Sequence, residues 1–315
     1  MSMQVYTEPF ITNELLLLYS EIQLVGQYDP VTLQIITNVA LLKNVSKSKI
    51  VIFVKTELLL HYMHFLLNFP KAFILITSCN DDYCMPFFNY PIQNINNCNL
   101  TLQLLQCPQL YLWYTKNPCI IHEKLKPFPI GPKWQWYSGV FFGEDLTNHL
   151  NIYKKYCMNG YENFQNKNKK LNLLYFNFGC KTTDNPFMQS HKNIRHIWKK
   201  SIETKFKWNM DKSFEEYIIE LSSYKFCVSP PGRGVDTHRT WEALMVGTIP
   251  IMLSSPLDPL FEKLPVIIIN NIDDIQNITE EFLQNQYEII HAKSYDFSIV
   301  YSNYWKTKFS ELSNT

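Results

Sequence analysis

The sequence contains no apolar run of the ~18–20 residues needed to span a bilayer, so no transmembrane helix is expected. Its start, Met1 to Phe10, lacks the basic-then-apolar layout of a signal peptide, and Glu14 and Glu21 flank the short Leu15–Leu18 run; a chain without a membrane span is expected. An excess of charge of either sign is also missing. Lys and Arg number 29 against 28 Asp and Glu, for a net charge of +1. That balance argues against nucleic acid or an anionic membrane surface as the main partner, while leaving room for a local basic site. Eight cysteines are present (79, 84, 98, 107, 119, 157, 180 and 227). They form no C-x-x-C pair and have no His at zinc-finger spacing, so free structural thiols in a reducing compartment are expected, without a zinc site. The phosphate-loop pattern G-x-x-x-x-G-K-[ST] and the dinucleotide pattern G-x-G-x-x-G are both absent.

What is present is enough for two cores. The chain has 315 residues, 46% hydrophobic and 15% aromatic, and chains this long commonly divide into domains of about 150 residues. Short β-branched runs alternate with helical stretches, the pattern of parallel βαβ units covered on both faces. In the first half the predicted strands are Lys49–Val54, Ala72–Thr77, Leu110–Tyr114 and Phe128–Ile130, with a helix over Glu57–Leu67. Asn159–Lys170 is polar and reads as a loop near a domain junction. A second series follows: strands Leu171–Phe178, Lys205–Trp208, Tyr224–Val228, Ile249–Leu253 and Val266–Ile269, and helices Ser213–Ser222, Asp236–Val246 and Thr279–His291. Ser213 and Glu216 form a capping box, with Phe214, Tyr217, Ile218 and Leu221 as the buried stripe. The expected architecture is α/β, two Rossmann-like domains facing each other across a cleft. One domain is expected over 1–145 and a second over 146–315, the latter ending in a closing C-terminal helix.

Ligands of such sheets sit beyond the carboxyl ends of the strands, and one place there carries chemistry. Strand Tyr224–Val228 runs into Ser229-Pro230-Pro231-Gly232-Arg233-Gly234-Val235-Asp236-Thr237-His238-Arg239-Thr240-Trp241-Glu242. Two prolines and two glycines force a tight turn, and Asp236 or Thr237 can cap the helix that follows. Free amides at the helix start favour an anion, but the dipole is worth only about 0.3–1 kcal/mol, so a diphosphate needs cations as well. Arg233 and Arg239 supply guanidinium forks suited to phosphate oxygens. His238, Arg239 and Glu242 share one helix face. Glu242, one turn in, is placed to accept from a ribose diol; the plainer alternative is a surface salt bridge with Arg239. Ala243 and Gly247 are expected to let the helix lie close to the sheet.

The run SPPGRGVDTHRTWEALMVGTIPIMLSSPLDPLFEKLPVIII resembles the C-terminal signature of exostosin-like glycosyltransferases of the GT-B fold, in which S-P-x-G-x-G-x-D-x-H-R-x-W-E-A-L precedes a G-x-I-P-I strand. The resemblance implies transfer of a sugar from a nucleotide donor, usually a UDP-sugar and in some members UDP-xylose, to an acceptor glycan or glycoprotein. It carries Arg239 over as a diphosphate contact, Glu242 as a ribose or donor-sugar contact, and the turn at Gly232 and Gly234 as the place where backbone meets phosphate. The donor set is then Ser229, Gly232, Arg233, Gly234, Asp236, His238, Arg239 and Glu242. Weaker echoes lie in ILITSCNDDYCMP, in LYLWYTKNP with KPFPIGPKW, and in LNLLYFNFGCKTTDNP, after which Arg195 or Lys199 could face the phosphates. No D-x-D pair stands at a strand end in the donor domain, and the fold family works without a metal, so no cofactor and no essential divalent ion are expected. The general base of an inverting transfer is expected in the first domain. Asp82 is the first choice and Asp81 the second, with His122 and Glu123 competing; Asp82 could equally be a turn carboxylate capping nearby amides. His238 either caps the loop or touches the sugar. Trp134, Trp136 and Tyr137 are expected to serve packing ahead of sugar stacking. A nucleotide-sugar-binding pseudoenzyme, or a UDP-sugar hydrolase or epimerase of GT-B form, remains the alternative. The missing membrane anchor, unusual beside Golgi members of that family, fits a cytoplasmic enzyme, including one of a host cytoplasm or virus factory.

Overall fold

Uninterrupted runs of Ile, Val, Leu and Phe become interior strands, because a parallel sheet covered on both faces buries every side chain along it. The computed structural model describes residues 10, 19–24, 27, 28, 35, 36, 47–78, 85, 86, 95–133, 143–180, 194–232 and 234–315. In chain order its first elements are β1 (Ile22–Leu24), β2 (Gln27–Tyr28), β3 (Ile35–Ile36), β4 (Ile50–Lys55), a 3₁₀ helix (Thr56–Tyr62) leading into α1 (Met63–Leu67), β5 (Phe73–Ser78), α2 (Ile95–Gln106), β6 (Leu110–Thr115) and β7 (Leu125–Pro127). Next come α3 (Gly143–Tyr156), α4 (Gly160–Gln165), β8 (Asn172–Tyr175), α5 (Ile194–Ile202), α6 (Phe214–Ser222) and β9 (Tyr224–Val228). The chain finishes with α7 (His238–Met245), β10 (Ile249–Leu253), β11 (Ile267–Ile269), α8 (Glu280–His291) and α9 (Ser302–Asn314). Among the described residues no helix is long and apolar enough to cross a membrane.

The chain forms two α/β units. The first takes Met1–Pro129 together with Asn185–Phe187 and Ser302–Thr315; the second takes Ile130–Asp184 and Met188–Tyr301. The first unit carries a parallel five-stranded sheet in the order β1-β4-β5-β6-β7. Ile50, Ile52, Val54, Phe73 and Leu75 pack there with Leu59 and Leu66 of the crossover and Leu104 of α2. α9 belongs to this unit, not to the second domain that the sequence expectation had it close. Its Trp305 ring lies 4.5 Å from that of Phe128, its Phe309 ring 5.1 Å from that of Tyr114, and Lys49 N–H donates to Ser313 O at 3.1 Å. Two buried aromatic rings decide where that helix docks.

The second unit carries a parallel four-stranded sheet in the order β11-β10-β9-β8. α6 begins as the sequence implies: the Glu216 carboxylate accepts from Ser213 N at 3.1 Å and Ser213 Oγ at 2.6 Å. Two expected elements differ. Lys205–Trp208 is not a strand, because Lys205 and Phe206 both turn their N–H groups back to Ile202 O at the end of α5. Part of the expected loop Asn159–Lys170 is α4, held by Phe164, which is fully buried with its ring 4.2 Å from His291. Gly247, at φ +73°, ends the α7 turn against α4 and not against the sheet. A Cβ there would stand 2.3 Å from the Asn163–Phe164 peptide, so only glycine fits.

Candidate functional site

The turn after β9 is largely closed upon itself. Ser229 N–H extends the sheet ladder to Ile251 O at 2.9 Å, and Ser229 Oγ lies 2.9 Å from Thr237 Oγ1 and 2.8 Å from Thr240 Oγ1. Gly232 N–H donates to Gly234 O at 3.0 Å, and Thr240 N–H to Thr237 O at 3.1 Å. Asp236 is 4% exposed; it accepts from Ile130 N and Thr237 N at 2.8 Å and from Trp241 Nε1 at 2.9 Å. It is a clamp between the turn, the helix and the start of the unit. His238 Nδ1 lies 2.9 Å from Gly131 O, and since a carbonyl only accepts, Nδ1 carries the proton there. The sequence argument has this turn aiming free amides at a ligand; the amides of Ser229, Gly232, Thr237 and Thr240 are instead spent inside the protein.

Glu242 departs furthest from expectation. It is 4% exposed, and its Oε1 accepts from Tyr153 OH at 2.7 Å and Lys133 N at 3.3 Å, while Oε2 accepts from Tyr217 OH at 2.9 Å. Three protein donors thus take up the two carboxylate oxygens that the spacing argument offered to a ribose diol. Burial and the Glu242 charge hold both tyrosine hydroxyls well above their ordinary pKa, so both remain donors.

What the carboxyl edge does present is positive charge. Arg195, in the first turn of α5, donates from Nε to Pro231 O at 2.7 Å and from Nη1 to Gly179 O at 2.7 Å, with Nη2 at 3.5 Å from Pro230 O. It thereby joins the segments that follow the adjacent strands β8 and β9. A Cβ on Gly232 would sit 3.1 Å from its Nη2, a tight contact that the guanidinium would have to yield to by a few tenths of an ångström. Arg239, in the first turn of α7, donates from Nη1 to Asn177 O, just past β8, and its Cζ stands 5.8 Å from the Tyr217 ring centroid. Its Nε–H is buried with no partner among the described residues. Among the described residues neither arginine is within ion-pair distance of a carboxylate. Burial, and then the neighbouring charge of Arg239, push the Arg195 pKa down to about 10. The two guanidiniums thus lie close enough for each charge to feel the other.

The other expected residues are distributed as follows. Lys199, one turn beyond Arg195, places Nζ 4.4 Å from the centroid of Trp208. In the first unit, His122 Nδ1 accepts from Lys124 N at 3.1 Å, a turn contact, and Glu123 is exposed. Asp81, Asp82, Arg233, Trp134, Trp136 and Tyr137 lie outside the described residues. Sequence reasoning missed Tyr153 and Asn177 altogether and took Tyr217 for core. Among the described residues no group of three or more His, Cys, Asp or Glu is arranged to hold a metal.

No family model and no curated protein matches the chain. Among solved structures it is similar to one titled "Crystal Structure of alpha1,3-Fucosyltransferase", at 12% identity and a TM-score of 0.32, over 86% of this chain and 92% of that one. That likeness is too slight to carry residue roles or chemistry across.

Proposed function

We propose that the chain is a nucleotide-sugar-dependent glycosyltransferase of GT-B form, in which Arg195 and Arg239 hold the diphosphate of a UDP-sugar donor. The observation that carries this reading is the pair of guanidiniums at the carboxyl ends of adjacent strands, unmatched by any carboxylate among the described residues. Sugar transfer needs the leaving diphosphate neutralised as its negative charge develops, and fixed cations supply this without reorganising. Each charge-assisted contact contributes about 1.5–3 kcal/mol. The exostosin-like signature from Ser229 to Ile269 supports the class of donor and acceptor, with a glycan or glycoprotein hydroxyl as the attacking group.

In the proposed inverting step the acceptor oxygen bonds to the anomeric carbon as the bond from that carbon to the phosphate oxygen breaks. The acceptor proton passes to a carboxylate of the first unit, Asp82 or Asp81, and the nucleoside diphosphate leaves with the bonding electrons. Two cations in place of a metal make the reaction independent of divalent ions. A panel of nucleotide sugars offered with acceptor glycans tests the proposal: it predicts transfer that excess chelator leaves unchanged, and an Asp82→Asn variant that binds donor normally yet transfers at least about a hundredfold more slowly. Hydrolysis of donor with no transfer to any acceptor, or activity lost to chelator and restored by Mn²⁺, would contradict it.

A further inference from the structure

Arg239 and Glu242 are three residues apart on one helix, the spacing at which an arginine and a glutamate ordinarily pair. They do not: the Glu242 carboxylate faces Tyr153, Tyr217 and the Lys133 amide, and the Arg239 guanidinium faces Asn177 O and the Tyr217 ring. Tyr217 therefore stands between the two charges: its hydroxyl donates to the acid and also lies close to the guanidinium, whose Cζ is 5.8 Å from the ring centroid. A direct ion pair would neutralise Arg239 and occupy its N–H fork. With the tyrosine interposed, the cation stays located and, among the described residues, carries no carboxylate partner.

We propose that Glu242 and Tyr217 are positioning residues for Arg239: the buried acid anchors the tyrosine hydroxyl, and the tyrosine, through that hydroxyl and its ring, seats the guanidinium for an anionic ligand. This rests on the anion site proposed above. Tyr217 is fixed from its own helix as well, since α6 starts at the Ser213–Glu216 capping box and the Phe214 ring lies 5.2 Å from that of Tyr153 and 6.1 Å from that of Tyr217. Glu242 thus acts without touching ligand, which is why its oxygens can be wholly taken up by protein donors.

The two tyrosines provide the control. Tyr153→Phe and Tyr217→Phe each delete one hydroxyl bonded to the same carboxylate, so a merely structural role makes them equivalent. Calorimetric titration of the full chain with inorganic pyrophosphate, alongside thermal melting of each variant, separates the cases. Tyr217→Phe is expected to weaken pyrophosphate about tenfold, the worth of one charge-assisted contact, while Tyr153→Phe stays within about twofold at a comparable loss of Tm. Glu242→Gln, which still accepts from one tyrosine, should bind more tightly than Glu242→Ala. Equal affinities for the two tyrosine variants overturn the positioning role while leaving the anion site standing. A wild-type chain that binds no pyrophosphate overturns both.

Discussion

Lys170 shows how much one side chain of a nominal loop can do. It is 5% exposed, and its Nζ donates to Ser222 O and Val246 O at 2.8 Å and to Thr248 Oγ1 at 3.1 Å. One side-chain nitrogen thus closes the carbonyl ends of both α6 and α7, the helices that carry Tyr217 and Arg239. Lys170→Met leaves three acceptors bare and should cost about 2–4 kcal/mol in chemical denaturation. Burial first, then Lys169, pushes the Lys170 pKa down to about 7 from 10.5. Between those values the unfolded chain keeps a proton that the folded chain gives up, so this group adds stability as pH rises from about 7 toward 10. The Tm gap between wild type and Lys170→Met should therefore widen from pH 7 to pH 9; a gap that narrows would contradict the assignment. That Arg239 and Glu242 fall on one helix was legible from the pattern. The bonds of Glu242 were not, because its donors Tyr153 and Tyr217 lie 89 and 25 residues away in sequence, and helix periodicity ranks faces, not partners.

At the scale of elements, apolar runs announced the interior strands β4, β5, β9 and β10 nearly to the residue, and the capping box announced the start of α6. The elements that differed were settled by distant contacts. Lys205–Trp208 has enough apolar and aromatic character to read as a strand. Yet Asn209 pairs with Phe176 in both directions, N–H to O at 2.9 Å and Phe176 N–H to Oδ1 at 2.8 Å, tying the segment alongside the chain beyond β8. α9 is the clearest case of docking decided by non-local packing. Trp305 is 1% exposed and meets both Tyr114 and Phe128. Trp305→Ala should destabilise the first unit by about 3–5 kcal/mol, seen as earlier proteolysis around α9; a melt unchanged within error would place the helix elsewhere.

For the molecule as a whole, composition and strand–helix alternation were sufficient to read two α/β units on parallel sheets. The point at which the chain passes from one unit to the next, Pro129 to Ile130, and its return at Ser302 were not readable, since no glycine- or proline-rich linker marks the return. At the candidate site, strand β9 and the helix that follows its turn were legible in the sequence. The closed turn amides and the joining role of Arg195 needed coordinates. The central claim, that this edge of the second unit grips a diphosphate through two guanidiniums, is tested most directly by calorimetric titration of wild type, Arg195→Ala, Arg239→Lys and the double variant with UDP and with pyrophosphate. Each single change is predicted to weaken both ligands by about 10–100-fold, the double variant to abolish measurable binding, and added salt to weaken the wild type. Unaltered affinity in the double variant, with the fold intact by circular dichroism, would contradict the account.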